Sequence, residues 1–351
     1  MKILAIESSC DDTSVALLEA TDEKITILAE KTASQIEVHK KYGGVVPEIA
    51  GREHAENIMP VVEEVMEKQE KPDVIAVTSG PGLITGLIVG VEVAKALSYL
   101  WDVPVVSVNH IEGHIHSPVL NNSQVSLKNI TLPAICLTVS GGHTEIVHIK
   151  KWGEYKRIGG TRDDAAGETF DKVAKMLGLE YPGGPKISKL ALTGNTKAIH
   201  FPRPMVNKDT YDFSFAGLKT SALYWLRDNK LKKKNTFLSQ IFFPKRITIN
   251  DFCASLEQAI IDVLTEKTFK VAEDLKPKTI MLVGGVSANK KLRETLQKRA
   301  EENSMQFITP NIQYSMDNAA MIGAAAYAKA KKKEFTKWEE LEANPNWHIT
   351  G

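Results

Sequence analysis

His110, Glu112, His114 and His116 crowd into the eight residues "HIEGHIHS" at 110–117. On a helix, residues four apart share a face, so His110 and His114 could hold one metal ion between them. A zinc protease of the H-E-x-x-H type places its general-base glutamate directly after the first histidine. Here Glu112 stands two places on, about 200° around the helix from His110, which argues against protease chemistry. Two readings of the pair stay open: a metal site for other chemistry, or capping and surface histidines. His116 reads as solvent-facing or as a residue behind the ligands.

Small polar turns form a second set. "ESSCDDTS" and "VSGGHTE" each join two β-rich runs. Ser8, Ser9, Ser140 and Thr144 can supply hydroxyls, while Gly141 and Gly142 can adopt positive φ and bring backbone N–H groups close to an anion. In "LVGGVSANKKL" a strand ends at Gly284-Gly285, and Ser287 could cap a helix whose N-terminus suits an anion or a purine edge. The chain has no P-loop sequence. "GPGLITGLIVG", residues 80 to 90, lacks the dinucleotide spacing and reads as glycine letting a helix pack closely on a sheet.

What must position these residues follows from length and pattern. The chain has 351 residues, enough for two domains of about 150 residues each. With 43% hydrophobic and 25% charged residues and a formal charge of +1, no global field marks a polyanion binder, so any such site is local. "MKILAIESSC" reads as a strand, and no stretch is expected to cross a bilayer. Cys10, Cys136 and Cys253 are odd in number and scattered, which suits neither a disulfide framework nor a cysteine zinc site. A cytoplasmic protein with reduced thiols is expected.

Hydrophobic patterning gives β-β-β-α-β-α-β in the first half, its first helix broken near Pro60, and β-β-β-α, a long excursion, then α-β-α-β-α in the second. The first three strands are spaced as a meander. An α/β protein of two related lobes is expected, residues 1–129 and 130–333, with a helical insertion at about 180–250. The tail, 334–351, is expected to pack back on the last helix or the first lobe. A ligand belongs in the cleft between lobes.

The segments "AIESSCDDTSVAL", "GGVVPEIAGREHAENI", "VNHIEGHIHS", "LTVSGGHTEIV", "FSFAGLKTS", "VGGVSANKKLR" and "YSMDNAAMIG" resemble, in collinear order, the bacterial form of the universal tRNA N6-adenosine threonylcarbamoyltransferase family, once called the glycoprotease family. The resemblance spans about residues 1 to 333 and implies the duplicated actin-like ATPase, sugar kinase and heat-shock-chaperone superfold. It implies transfer of a threonylcarbamoyl group from threonylcarbamoyl-AMP to N6 of the adenosine 3′ of the anticodon, in tRNAs reading codons that begin with A, with release of AMP.

By resemblance, one divalent metal falls on His110, His114 and Asp317, iron(II) being the first expectation and zinc the alternative. Adenylate-binding positions fall on Thr138, Val139, Ser140, Gly141, Gly142, Asp171, Gly184 and Asn289, with Ser188 as a further contact where relatives carry aspartate. Ser9, Asp11 and Asp12 are cleft candidates, Asp12 standing where many relatives have glutamate. Generic roles compete: Asp171 could pair with Lys175, Asn289 could open its helix, and Asp317 could be a first-turn carboxylate.

For tRNA, the candidates are Lys232 and Lys233 in "KLKKK", Lys245, Arg246 and the "KAKKK" run at 329–333, each otherwise a solvated face. Implied partners are tRNA, a smaller paralogous subunit, a P-loop ATPase and an upstream adenylate-forming synthase, with no membrane. The helix at 52–69 could supply the paralogue interface. The rival classes are a metal-dependent glycoprotease, an actin-like ATPase or kinase, and a non-catalytic scaffold.

Overall fold

The computed structural model describes residues 1–122, 125–229 and 247–349. The first lobe opens with the antiparallel meander β1 (Lys2–Glu7), β2 (Asp12–Ala20) and β3 (Ile25–Ser34). It continues through α1 (Ile36–Lys40), α2 (Pro47–Met66), β4 (Val74–Gly80), α3 (Ile84–Trp101), β5 (Val105–Asn109) and α4 (His110–His116). β4 and β5 add in parallel to β1, and their near-unbroken apolar runs suit strands covered on both faces.

The second lobe repeats the plan. Its meander is β6 (Ala134–Val139), β7 (Thr144–Lys151) and β8 (Glu154–Gly160). Then come α5 (Ala166–Met176), α6 (Gly183–Ala191), α7 (Ala216–Asp228), α8 (Ile249–Leu275), β9 (Thr279–Val283), α9 (Lys290–Glu302), β10 (Gln306–Ile308) and α10 (Ala319–Lys331). Among the described residues both sheets have five strands, ordered third, second, first, fourth, fifth within their own lobe. The duplication expected from patterning is therefore real at the level of topology.

One apolar core joins the halves. Ile3 and Ala5 of β1, Cys136 of β6 and Met281 of β9 share it with Ile111 and Ile115 of α4 and Met321 and Ile322 of α10. α4 and α10 thus pack on one another in the core common to the two sheets. That placement fixes the backbone of both segments that carry the metal candidates.

Two sequence expectations are corrected. α2 runs unbroken through Pro60, because the proline lies on the solvent side, where the carbonyl it leaves unpaired reaches water. α3, with 18 residues, is long and apolar enough to cross a bilayer by length and composition, although no such stretch was expected. In this fold α3 packs against α2 and β4. Gly86 and Gly90 let it approach β1 so closely that a Cβ at either would strike Ser8, the structural use expected of this glycine run.

The tail lies on the first lobe. Thr336 bridges Val105, Asn344 N–H donates to the Ser79 carbonyl, and Leu341 and Ile349 are buried. A chain ending at Lys333 is expected to lose on the order of 3 kcal/mol, since two large apolar side chains leave the core while the freed tail regains entropy. Urea denaturation of the shortened chain checks this, and an unchanged midpoint would contradict the packing role.

Candidate functional site

Asn109 starts the metal helix. Its Oδ1 accepts the N–H groups of Ile111 (2.9 Å) and Glu112 (3.4 Å), while its Nδ2 donates to the Trp347 carbonyl (3.0 Å). From this fixed start, His110 and His114 turn to the same side. They meet Asp317, whose Oδ1 lies 3.6 Å from His110 Nε2 and 3.1 Å from His114 Nε2. One donor atom from each of the three lies within 4.8 Å of the others, on side chains from two packed segments. Asp317 precedes Asn318, the residue that caps α10, so it is not the first-turn carboxylate of the generic reading.

The donor set fits a divalent cation. Both ring nitrogens of His114 are buried without a well-aligned hydrogen bond, an expense that a ligated metal would remove. Burial and the neighbouring His110 hold His114 below the usual imidazole range, hence neutral as a ligand must be. Burial alone would lower His110 as well, but the Asp317 and Glu7 carboxylates outweigh it and raise His110 to about 9. Asp317 goes the other way: burial would raise it, and the imidazoles of His110 and His114 hold it well below the usual carboxylate range.

Glu112 takes no part in this cluster. Its carboxylate meets Lys329 Nζ of α10 at 2.8 Å, so no glutamate base faces the two histidines from their own helix. His116 is buried rather than solvent-facing, because its Nδ1 bonds the Glu112 carbonyl at 2.8 Å and its ring rests against Trp152.

The second group gathers around the carboxyl ends of β6 and β9. Thr138 and Val139 finish β6, and Ser140 closes a tight turn on His143 through an N–H donated to the His143 carbonyl (2.8 Å). Gly141 and Gly142, free to adopt positive φ, do not use that freedom here. A Cβ at either would meet nothing within 4 Å, so the turn tip is open. Gly284 is the residue at positive φ here, with φ +87°, pressed against Val139.

Asp171 does not pair with Lys175, whose Nζ reaches the Tyr42 carbonyl instead. Its Oδ1 accepts the Gly183 N–H (2.7 Å) and faces that of Gly184 (3.4 Å), satisfying the start of α6. Asn289 caps α9 by accepting the Leu292 N–H at 2.9 Å, and its Nδ2 donates to Ser188 (2.9 Å) and Glu257 (2.7 Å). Ser287, the cap that the sequence made possible, sits two residues earlier in a 3₁₀ segment with its hydroxyl buried and unpartnered. The structure therefore brings Ser188 and Asn289 together, and joins Asp171 to Gly184.

The two groups meet between the lobes. His143, from the β6–β7 turn, has its ring centroid 6.2 Å from that of His110, and burial with the charges of His110 and His114 pushes it down to about 3. Tyr181 donates to Asp11 Oδ2 at 3.1 Å, and Lys40 meets Glu180 at 3.2 Å, so contacts cross the cleft directly. Ser9 Oγ lies 3.1 Å from His110 Nδ1, which places the β1–β2 turn behind the metal helix.

A family model for tRNA N6-adenosine threonylcarbamoyltransferase matches residues 26–324. The chain belongs to this transferase family. Proteins bearing that name in Clostridium perfringens and Thermosipho africanus are each 45% identical to it, over 99% of this chain and 98% and 100% of theirs. One from Halalkalibacterium halodurans is 44% identical over 99% of this chain and 96% of its own length. Among solved structures, the nucleotide-bound activator of 2-hydroxyisocaproyl-CoA dehydratase from Clostridium difficile superposes with TM-score 0.53 at 13% identity, covering 95% of this chain and 97% of that one. Full-length HypF, with phosphate and nucleotide bound, gives 0.58 at 13% identity over 96% of this chain and 47% of its own. These neighbours share the actin-like ATPase fold.

In this member of the threonylcarbamoyltransferase family, Asp12 sits at the mouth of the β1–β2 turn with Oδ1 buried and unpartnered. Burial pushes its carboxyl up to about 7, with repulsion from Asp11, Asp317 and Glu7 adding to the rise and Ser34 opposing it. The folded chain thus holds this proton more tightly than the unfolded chain does, and the stabilisation is lost as pH rises through about 7. Asp12→Asn is expected to stabilise the protein by on the order of 2 kcal/mol at about pH 8, with the gain fading towards pH 4. Chemical denaturation at both pH values tests the sign.

Of the tRNA candidates, Lys232, Lys233, Lys245 and Arg246 lie outside the described residues. In the 329–333 run, Lys329 pairs with Glu112 and Lys331 with Asp22, which leaves that patch partly neutralised. Glu7 and His143 were not singled out from sequence, although both stand inside quoted motifs; neither has a spacing partner that would mark it.

Proposed function

We propose that this chain transfers the threonylcarbamoyl group of threonylcarbamoyl-AMP to N6 of the adenosine 3′ of the anticodon, in tRNAs reading codons that begin with A, releasing AMP. The observation that carries this reading is the convergence of His110, His114 and Asp317 beside the open glycine turn at the cleft. A kinase or ATPase of the same fold needs no cluster of two imidazoles and one carboxylate, and the engagement of Glu112 with Lys329 removes the protease alternative's base.

His110, His114 and Asp317 would hold the divalent ion, which when bound supplies Lewis acidity at the donor's oxygens. Iron(II) and zinc both suit this ligand set. The open turn at Gly141 and Gly142 presents backbone close to the leaving phosphate. Asp171 and Asn289 would contact the ribose and purine, and a helix start already orients each of them. Because the acceptor amine is a poor nucleophile and the acyl phosphate a good electrophile, positioning supplies most of the acceleration. The expected partners are a smaller paralogue of the same fold, a P-loop ATPase and the synthase that makes the adenylate.

The test supplies threonylcarbamoyl-AMP, unmodified tRNA and the partner proteins, and looks for the modified nucleoside by mass spectrometry. Product that depends on this chain supports the reading. No product with active partners, or equal product without this chain, overturns it.

A further inference from the structure

The least explained group at the centre is Glu7, whose side chain is fully buried at the carboxyl end of β1. The strand order β1-β4-β5 sets Glu7, Thr78 of β4 and His110 just beyond β5 side by side. Glu7 Oε1 accepts the Ser9 N–H at 2.6 Å. Oε2 accepts the Thr78 hydroxyl at 2.6 Å and lies 3.0 Å from His110 Nδ1.

We propose that Glu7 is the positioning residue of the metal centre, and that by accepting the Nδ1–H of His110 it selects the tautomer whose Nε2 lone pair faces the cation site. The inference rests on the proposed metal role of His110, His114 and Asp317. Both Glu7 oxygens already accept, from the Ser9 N–H and the Thr78 hydroxyl, so the carboxyl meets His110 as an acceptor and the nitrogen facing it carries the hydrogen. Once a cation displaces the Nε2 proton, the lone pair of His110 lies on Nε2, on the side of Asp317. His114 has no partner of this kind on either nitrogen, so the site combines one preset imidazole with one adaptable one.

The amide of glutamine reverses the selection. In Glu7→Gln the Ser9 N–H still requires an acceptor opposite it, which turns the new NH2 towards Thr78 and His110. The Thr78 hydroxyl can rotate to accept, whereas His110 Nδ1 can accept only by moving its hydrogen to Nε2 and closing the metal position. In Glu7→Ala no donor replaces the carboxylate, and Ser9 Oγ remains close enough to accept the Nδ1–H. The isosteric variant is therefore expected to be the worse one, which a purely structural role for Glu7 would not produce.

Zn2+ is the probe, its affinity measured by competition with a chromophoric chelator on the full chain. Glu7→Gln is expected to bind about 10–100-fold more weakly than the parent, with Glu7→Ala between them. Glu7→Gln within about two-fold of the parent, or no weaker than Glu7→Ala, overturns the inference. A measurement without substitution stands beside it: in the Zn2+-loaded parent, nitrogen–proton correlation spectra should show His110 protonated at Nδ1. Protonation at Nε2 overturns the inference even if the variants fail to fold. His110→Ala separates the two levels of the argument. If it binds Zn2+ as well as the parent, the metal reading fails; if it loses Zn2+ while Glu7→Gln does not, only the role of Glu7 fails.

Discussion

His114→Ala is expected to lower threonylcarbamoyl transfer by at least about 10²-fold and to remove the thermal stabilisation that added Zn2+ gives the parent chain. One of three donor atoms disappears, and no other described residue is grouped with His110 and Asp317 as a replacement. The metal-free fold should survive. His114 is buried with neither ring nitrogen in a well-aligned hydrogen bond, so its removal gives up packing but also relieves a desolvated polar group. A net change within about 2 kcal/mol follows from these opposing terms. Single-turnover nucleoside analysis and thermal scans with and without Zn2+ read both halves. A variant that keeps Zn2+ and transfers at the parent rate would remove the metal from the mechanism.

Gly284→Ala carries the largest expected loss of stability. The residue has φ +87°, where side chains are disfavoured, and a Cβ there would stand 2.5 Å from the Val139 carbonyl oxygen and 2.9 Å from its carbon. Neither neighbour is a flexible side chain; both belong to the strand that leads into the 140–143 turn. Strain and overpacking add, so a loss of about 3–5 kcal/mol is expected, with the open turn displaced as the backbone yields. Urea denaturation gives the loss, and the Michaelis constant for threonylcarbamoyl-AMP reports the displaced turn. A variant as stable as the parent would mean that β6 and the 284–288 segment separate easily.

Much of the architecture was legible in the order of hydrophobic runs. Strand runs such as "VIAVTSG" and "TIMLV" are buried on both faces and read as strands without tertiary help. The meander spacing and the repeat of one plan in two halves were equally visible. Pro60 misled because proline weakens a helix without having to end it: here the carbonyl it leaves unpaired, four residues back at Glu56, lies on the exposed side, where water can take it. Which use the turn makes of Gly141 and Gly142 was not legible, because glycine permits positive φ without requiring it; at this turn glycine keeps the tip open instead. Of the two readings of His116 only the solvent-facing one fails, because a histidine just past a ligand pair looks polar in sequence, while His116 is buried against Trp152.

By itself the sequence determined which residues share a face and which runs are strands, since both follow from local periodicity: four residues for His110 and His114, two for each strand. Only the tertiary structure decided the rest. Asp317 joins the histidines because α10 packs on α4, and Glu7 reaches His110 because β4 lies between their strands and aligns the ends. Glu112 is drawn away to Lys329 by that same packing. Contacts between segments some 100 to 200 residues apart carry no periodic signal, so the chemistry of the cleft is set by how the two lobes share one core.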